Sequence, residues 1–126
     1  MPSTLYQVAD VNNPDEAKEL FDAFNIPYEI AASGRNKGKL LVKKLRASDR
    51  NAVEPIRELL TRNGLGVLCD HANVFRDADD RPVVTFSPYL SIPYREYELP
   101  GYEVIVSKLS IYSYGTPTAV VRAFRG

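Results

Sequence analysis

The sequence has one cysteine, one histidine and no excess of either charge, and each shortage narrows the functions open to it. Cys69 stands alone, so an intramolecular disulfide is impossible and a reducing compartment is permitted; the residue reads as a buried, inert thiol. His71 is the only imidazole available for acid–base work. No Gly-x-Gly-x-x-Gly run, phosphate-binding loop or nucleophile elbow occurs. Sixteen basic residues offset sixteen acidic ones, so the global field cannot draw the chain to nucleic acid or to an anionic membrane, and only a local patch can do so. The chain has no apolar run near the ~18 residues that span a bilayer. The opening Met1-Pro-Ser-Thr-Leu-Tyr6 lacks the charged and apolar regions of a secretory signal. The expected location is cytoplasmic.

What is present describes an ordinary globular chain. At 126 residues, with 44% hydrophobic and 25% charged residues, it has the size and composition of one domain, 1–126, around one core. Leu5, Tyr6 and Val8 open a short strand. Asn13-Pro14-Asp15-Glu16 then supplies a helix start, with Asn13 as cap, Pro14 at the first helical position and Glu16 placed to reach back to the free backbone N–H. Ala17, Leu20, Phe21 and Phe24 follow on one helical stripe, and Asn25 closes the helix. Pro27 to Ala32 reads as a strand, Ser33 to Gly38 as a turn, and Lys39 to Leu45 as the returning strand. That returning strand carries Leu40 and Val42 on one face and Leu41 and Leu45 on the other, so it needs cover on both sides.

A second helix lies between Ser48 and Asn63, with Val53, Ile56, Leu59 and Leu60 as its stripe and Asn63-Gly64 as a left-handed stop. Two starts are open. A cap at Ser48 puts Pro55 deep in the helix at a cost of ~3 kcal/mol, whereas a cap at Asn51 leaves it near the first turn. Leu65 to Cys69 reads as a strand and completes β-α-β-β-α-β, the order of a ferredoxin-like split sandwich over residues 4–70. Residues 71–126 show no helical period. Their short β candidates are Asn73 to Arg76, Val83 to Phe86, Tyr94 to Leu99, Glu103 to Tyr112 and Thr118 to Phe124, separated by turns such as Asp77 to Pro82. The fold class is therefore α+β: a ferredoxin-like half with a β-rich antiparallel extension packed on it as the second cover.

The chemistry-bearing clusters have bland readings beside them. Cys69, Asp70 and His71, with Asp77, Asp79 and Asp80, contain metal-ligand types, but there is no paired Cys-x-x-Cys or His-x-x-x-His and no EF-hand glycine or terminal glutamate. The expectation is no metal, no cofactor and a solvated acidic turn. Cys69 and His71, two apart on a strand, share a face but have no third group to orient them. No catalytic residue is assigned and the chain is expected not to be an enzyme.

Charge is unevenly placed. Asp10, Asp15, Glu16, Glu19, Asp22 and Glu29 accompany a single base, Lys18, whereas Arg35, Lys37, Lys39, Lys43, Lys44 and Arg46 accompany no acid. The basic hairpin suits phosphates, and lysines on an edge strand also guard against sheet-to-sheet aggregation. Tyrosines crowd the last 38 residues: Tyr89, Tyr94, Tyr97, Tyr102, Tyr112 and Tyr114. Tyrosine brings contact area with little entropy to lose, which makes Tyr94, Tyr97, Tyr102, Tyr112 and Tyr114 candidate anchors for a protein partner; packing within a β layer is the other reading.

Three resemblances accompany these residues. Leu5 to Val67, with Asp15-Glu-Ala-Lys-Glu-Leu-Phe-Asp-Ala-Phe-Asn25 and Lys37-Gly-Lys-Leu-Leu-Val42, resembles an RNA-recognition motif in outline; Tyr6 stands in its first strand, but Lys39 and Leu41 stand where the third needs rings. The same stretch, with Asn25-Ile-Pro-Tyr-Glu-Ile30, also resembles small ferredoxin-like regulatory domains. Leu109 to Val121, with its Ser-Tyr-Gly-Thr turn, is similar to a hairpin of small bacteriophage proteins of unknown function. That likeness implies a phage or prophage origin and a role in binding and blocking a host component. The readings carried forward are a non-enzymatic macromolecule-binding protein, a nucleic-acid module using the basic hairpin 35–46, and a small-molecule-binding regulatory or sponge protein.

Overall fold

The N-terminal half builds a three-stranded sheet. In the computed structural model, which describes residues 5–64, 69–88, 96–112 and 115–123, β1 (Leu5–Val8), β2 (Tyr28–Ile30) and β3 (Leu40–Lys43) pair antiparallel in the order β1-β3-β2. Helix α1 (Pro14–Ala23) crosses between β1 and β2 with Pro14 at its start. Its expected stripe is buried: Ala17, Leu20, Phe21 and Phe24 are all 6% exposed or less. Asn25 ends the helix with a left-handed φ of 60°, a conformation asparagine tolerates better than most residues.

The start of α1 differs from the capping expectation. Asn13 makes no side-chain cap; its Nδ2 donates instead to the Ser110 carbonyl at 2.7 Å and to that of Tyr112. The Glu16 carboxylate, expected to reach back to the cap, accepts the Ser110 backbone N–H at 2.9 Å. The amides of Asn12 and Asn13 both donate to the Ile111 carbonyl. Tertiary partners thus replace the local ones, because the 110–112 segment brings its own backbone groups into a site where they need bonding.

The second helix uses neither of its expected caps: Ser48 lies inside a first short turn capped by Arg46, and Asn51 ends that turn instead of starting the longer helix. A single turn, α2 (Ala47–Arg50), begins at Arg46, and α3 (Val53–Arg62) follows after a break at Asn51-Ala52. Pro55 falls third in α3, within the first turn, where a missing N–H breaks no helical bond. Asp49 is buried and accepts the Arg46 backbone N–H at 2.9 Å. Gly64 closes the segment with φ of 70°.

The strand expected at Leu65 to Cys69 is described only at Cys69. Residues 65–68 lie outside the described ones, and β4 (Cys69–Arg76) pairs with β5 (Pro82–Pro88) in a five-stranded antiparallel sheet with β6 (Glu96–Leu99), β7 (Tyr102–Ser107) and β8 (Thr118–Ala123), ordered β4-β5-β8-β7-β6. Among the described residues the N-terminal sheet has three strands, and Cys69 opens the second sheet. The reason is visible in β4, whose Val74 and Phe75 enter different cores and which therefore must lie inside the layered structure. The chain is α+β with two antiparallel sheets.

The larger sheet is buried on both faces. Phe75, Val83 and Val120 meet α1, Leu40, Val42, Ile111 and Tyr112, while Val74, Val84, Phe86, Val104 and Val121 meet Ile56 and Leu60 of α3. The C-terminal half thus does cover the N-terminal one, but on the side carrying Leu40 and Val42; Leu41 is half-buried, and Leu45 packs at the edge of the α3 core.

Two stability measurements follow. Phe21, fully buried and edge-on to Phe75 at 4.8 Å between ring centres, is expected to cost ~3–5 kcal/mol as Phe21→Ala in a denaturant titration; a loss below ~1 kcal/mol would show that α1 does not face this core. Asn13→Ala removes the amide donor to the Ser110 carbonyl and one of two donors to that of Tyr112, which keeps the Ser110 hydroxyl, and is expected to cost ~1–3 kcal/mol with no loss of helical circular dichroism in the folded state, whereas an unchanged midpoint would deny the latch any weight.

Candidate functional site

The candidate tyrosines do not form one exposed surface. Tyr112 is 3% exposed, its hydroxyl bonded to the Thr85 carbonyl at 3.0 Å and its ring stacked on His71 at 6.0 Å between centres. It is a core residue and is withdrawn as a partner anchor, because the segment that latches onto α1 carries it inward. Tyr102 is half-buried against the α3 core. Tyr94 and Tyr114 lie outside the described residues, as does the side chain of Tyr97 in β6.

The basic residues divide into two groups. Lys43 Nζ donates to Asp80 Oδ1 at 2.7 Å and to the Asp77 carbonyl at 3.1 Å, and Arg46 Nε lies 3.6 Å from Asp49. Both are committed to the fold, and Lys44 is exposed but not free of internal contacts. Arg35, Lys37 and Lys39 are exposed on the loop joining β2 to β3, with no ion pair there among the described residues. The loop is closed by Ala31 N–H to the Lys39 carbonyl at 2.9 Å and by Gly38 N–H to the Ala31 carbonyl at 2.8 Å.

The Asp77 turn departs from the solvated acidic turn expected. Asp77 is fully buried; its Oδ1 accepts the backbone N–H groups of Asp79 and Arg81, and its Oδ2 takes Arg81 Nε at 3.1 Å and an Arg122 guanidinium nitrogen at 3.3 Å. Arg122 also bridges to Glu103 and to the Phe24 carbonyl. This network fastens the β4–β5 turn to β8 and to the end of α1. Among the described residues no three His, Cys, Asp or Glu side chains stand together as a metal-ligand set, and no helix is long and apolar enough to cross a membrane.

One feature escaped sequence reasoning. A cleft of about 540 Å³ separates Gln7–Asp10 from Ala72–Phe75, with Leu45, Arg50 and Val53 completing its lining. It lies between two sheet edges, since β1 ends one sheet and β4 ends the other. Ladder geometry fixes which backbone groups face it. Ala9 N–H bonds the Leu40 carbonyl and Asp77 N–H bonds the Arg81 carbonyl, so by alternation Val8 on one strand, and Ala72 and Val74 on the other, turn their N–H and C=O away from their ladders. Asn73 Nδ2 bridges the cleft to the Asp10 carbonyl at 2.6 Å. Both edges are irregular just before these runs, between Leu5 and Gln7 and between Cys69 and His71. No sequence signal marked it, since Val74 and Phe75 show only that β4 is covered on both faces.

Comparison with protein-family models, with curated proteins and with solved structures finds no match.

The Asp80 carboxyl is held below the usual carboxylate range, first by the hydrogen bond from Lys43, which desolvation partly opposes, and further by the charges of Lys43, Arg76 and Arg46. A lowered folded pKa means stability present above the ordinary carboxylate pKa and lost as pH falls through the folded value. Asp80→Asn, which suits the left-handed φ of 61°, is therefore expected to be less stable than the parent near neutrality, with the gap closing in acid. Denaturant midpoints across the acid range check this; a gap independent of pH would remove Lys43–Asp80 as its source.

Proposed function

We propose that this is a non-enzymatic binding protein whose partner is another polypeptide, taken as an extended segment into the cleft between β1 and β4. The observation that carries this reading is that two sheet edges face one opening with outward backbone groups at Val8, Ala72 and Val74. Backbone edges of this kind are templates for an added strand, in which main-chain bonds supply affinity and side-chain contacts supply selectivity. The irregularities that precede both runs shorten the usable edges and so disfavour open-ended stacking of sheets. Arg50 on one part of the lining and Asp10 on another are exposed and carry no ion pair among the described residues, which favours a segment bearing an acidic and a basic residue. Blocking a partner in this way, the role implied by the phage-like run, requires no chemistry from the chain itself.

The test removes one outward donor. Val8→Pro deletes an N–H that points away from β3 and leaves the ladder bonds of Gln7 and Ala9 in place. A polypeptide captured by the full chain from a bacterial lysate is expected to bind Val8→Pro about tenfold more weakly, at an unchanged thermal midpoint, and to cross-link to β1 or β4. Equal binding by the variant, or stoichiometric recovery of a small molecule instead of a polypeptide, overturns the proposal.

A further inference from the structure

We infer that the loop from Ala31 to Lys39 is a second, separate surface, which contacts the phosphate backbone of single-stranded nucleic acid through Arg35, Lys37 and Lys39. The inference does not rest on the cleft. It rests on how most bases are used elsewhere in the fold: Lys18, Lys43, Arg46, Arg57, Arg62, Arg76, Arg81 and Arg122 sit in ion pairs, while Arg50 and Lys108 are single exposed bases without one among the described residues. Against that background, three exposed bases in nine residues with no acid among them form a concentrated and uncompensated positive site in a chain of zero net charge.

The loop is also held in shape. Besides the two bonds that close it, Lys37 N–H donates to the Gly34 carbonyl at 3.2 Å and Lys39 N–H to that of Asn36 at 2.9 Å. Gly34 and Gly38 have φ of 83° and 87°, which glycine adopts freely, and no atom would crowd a side chain built on either, so the loop stands clear of the body. A preformed, projecting loop loses little freedom when it meets a ligand. It contains no aromatic residue on which a base can stack, so contact falls on phosphates and carries no sequence preference.

The number of contacts can be read in solution. Each phosphate neutralised on a single strand contributes about −0.7 to the slope of log K against log salt, so three contacts give a slope of about −2, whereas six bases acting together would give about −4. Binding of labelled oligothymidylate and oligouridylate to the full chain, followed by fluorescence anisotropy, is expected to weaken about fifteenfold between about 50 and about 200 mM salt. The two oligomers should bind within about twofold of each other. Arg35→Gln, Lys37→Gln and Lys39→Gln together should abolish binding at an unchanged thermal midpoint, while Lys108→Gln, an exposed base on another loop, leaves the slope near −2. No binding at the lowest salt, a slope near −4, survival of binding in the triple variant, or retention on anionic lipid vesicles without retention of either oligomer would each overturn the inference.

Discussion

The arrangement depends on α1 being fastened at both ends to the larger sheet. At its start, Asn13, the amides of Asn12 and Asn13, and Glu16 bond the 110–112 segment, which leads into β8. At its end, the Asn25 carbonyl accepts Ala78 N–H at 2.9 Å and the Phe24 carbonyl accepts Arg122. Between these ends Leu20 and Phe21 are sealed against Phe75, Val83 and Val120. A helix of ten residues is marginal by itself, so these contacts rather than helix propensity hold it. The smaller sheet sits where α1 carries it, and the distance between β1 and β4 follows from that placement.

The elements that announced themselves in the sequence are those whose pattern is local. The stripe of α1, the Asn63-Gly64 stop, the β2–β3 turn and the Asp77 turn needed only period, cap and turn chemistry. What escaped was set by partners distant in the chain. Asn13 reads as a cap until Ser110 and Tyr112 claim its amide, and Asp77 reads as a solvated turn residue until Arg122, 45 residues away, meets it inside the protein. The six bases from Arg35 to Arg46 look alike in one dimension; only folding distinguishes Arg35, Lys37 and Lys39 from Lys43 and Arg46, whose carboxylate partners lie at Asp80 and Asp49. The cleft had no signature of its own because it is the space left when β4 joins β5 instead of β1.

The ion pairs explain why charge on this chain cannot be judged from its sum. Asp77 and Asp49 are buried, and burying a carboxylate is costly without hydrogen bonds and cations around it; Arg81 and Arg122 serve the first, Arg46 and Arg76 the second. Arg76, Arg81 and Arg122 are consequently turned inward, away from a ligand. Charge free to act outward is concentrated where the fold makes no use of it, as on the β2–β3 loop.

The two candidate surfaces occupy opposite edges of one small sheet. In the order β1-β3-β2, the cleft borders β1, and the basic loop continues from β2, whose Ile30 is 53% exposed beside it. β3 lies between them and is held from three directions, by its ladders to both neighbours, by Leu40 and Val42 in the core, and by Lys43 on the Asp77–Asp80 turn. A central strand fixed in this way keeps the two edges at a constant separation. Occupation of one edge therefore has no route through β3 to reshape the other, and the two contacts are expected to add independently, each failing or surviving without the other.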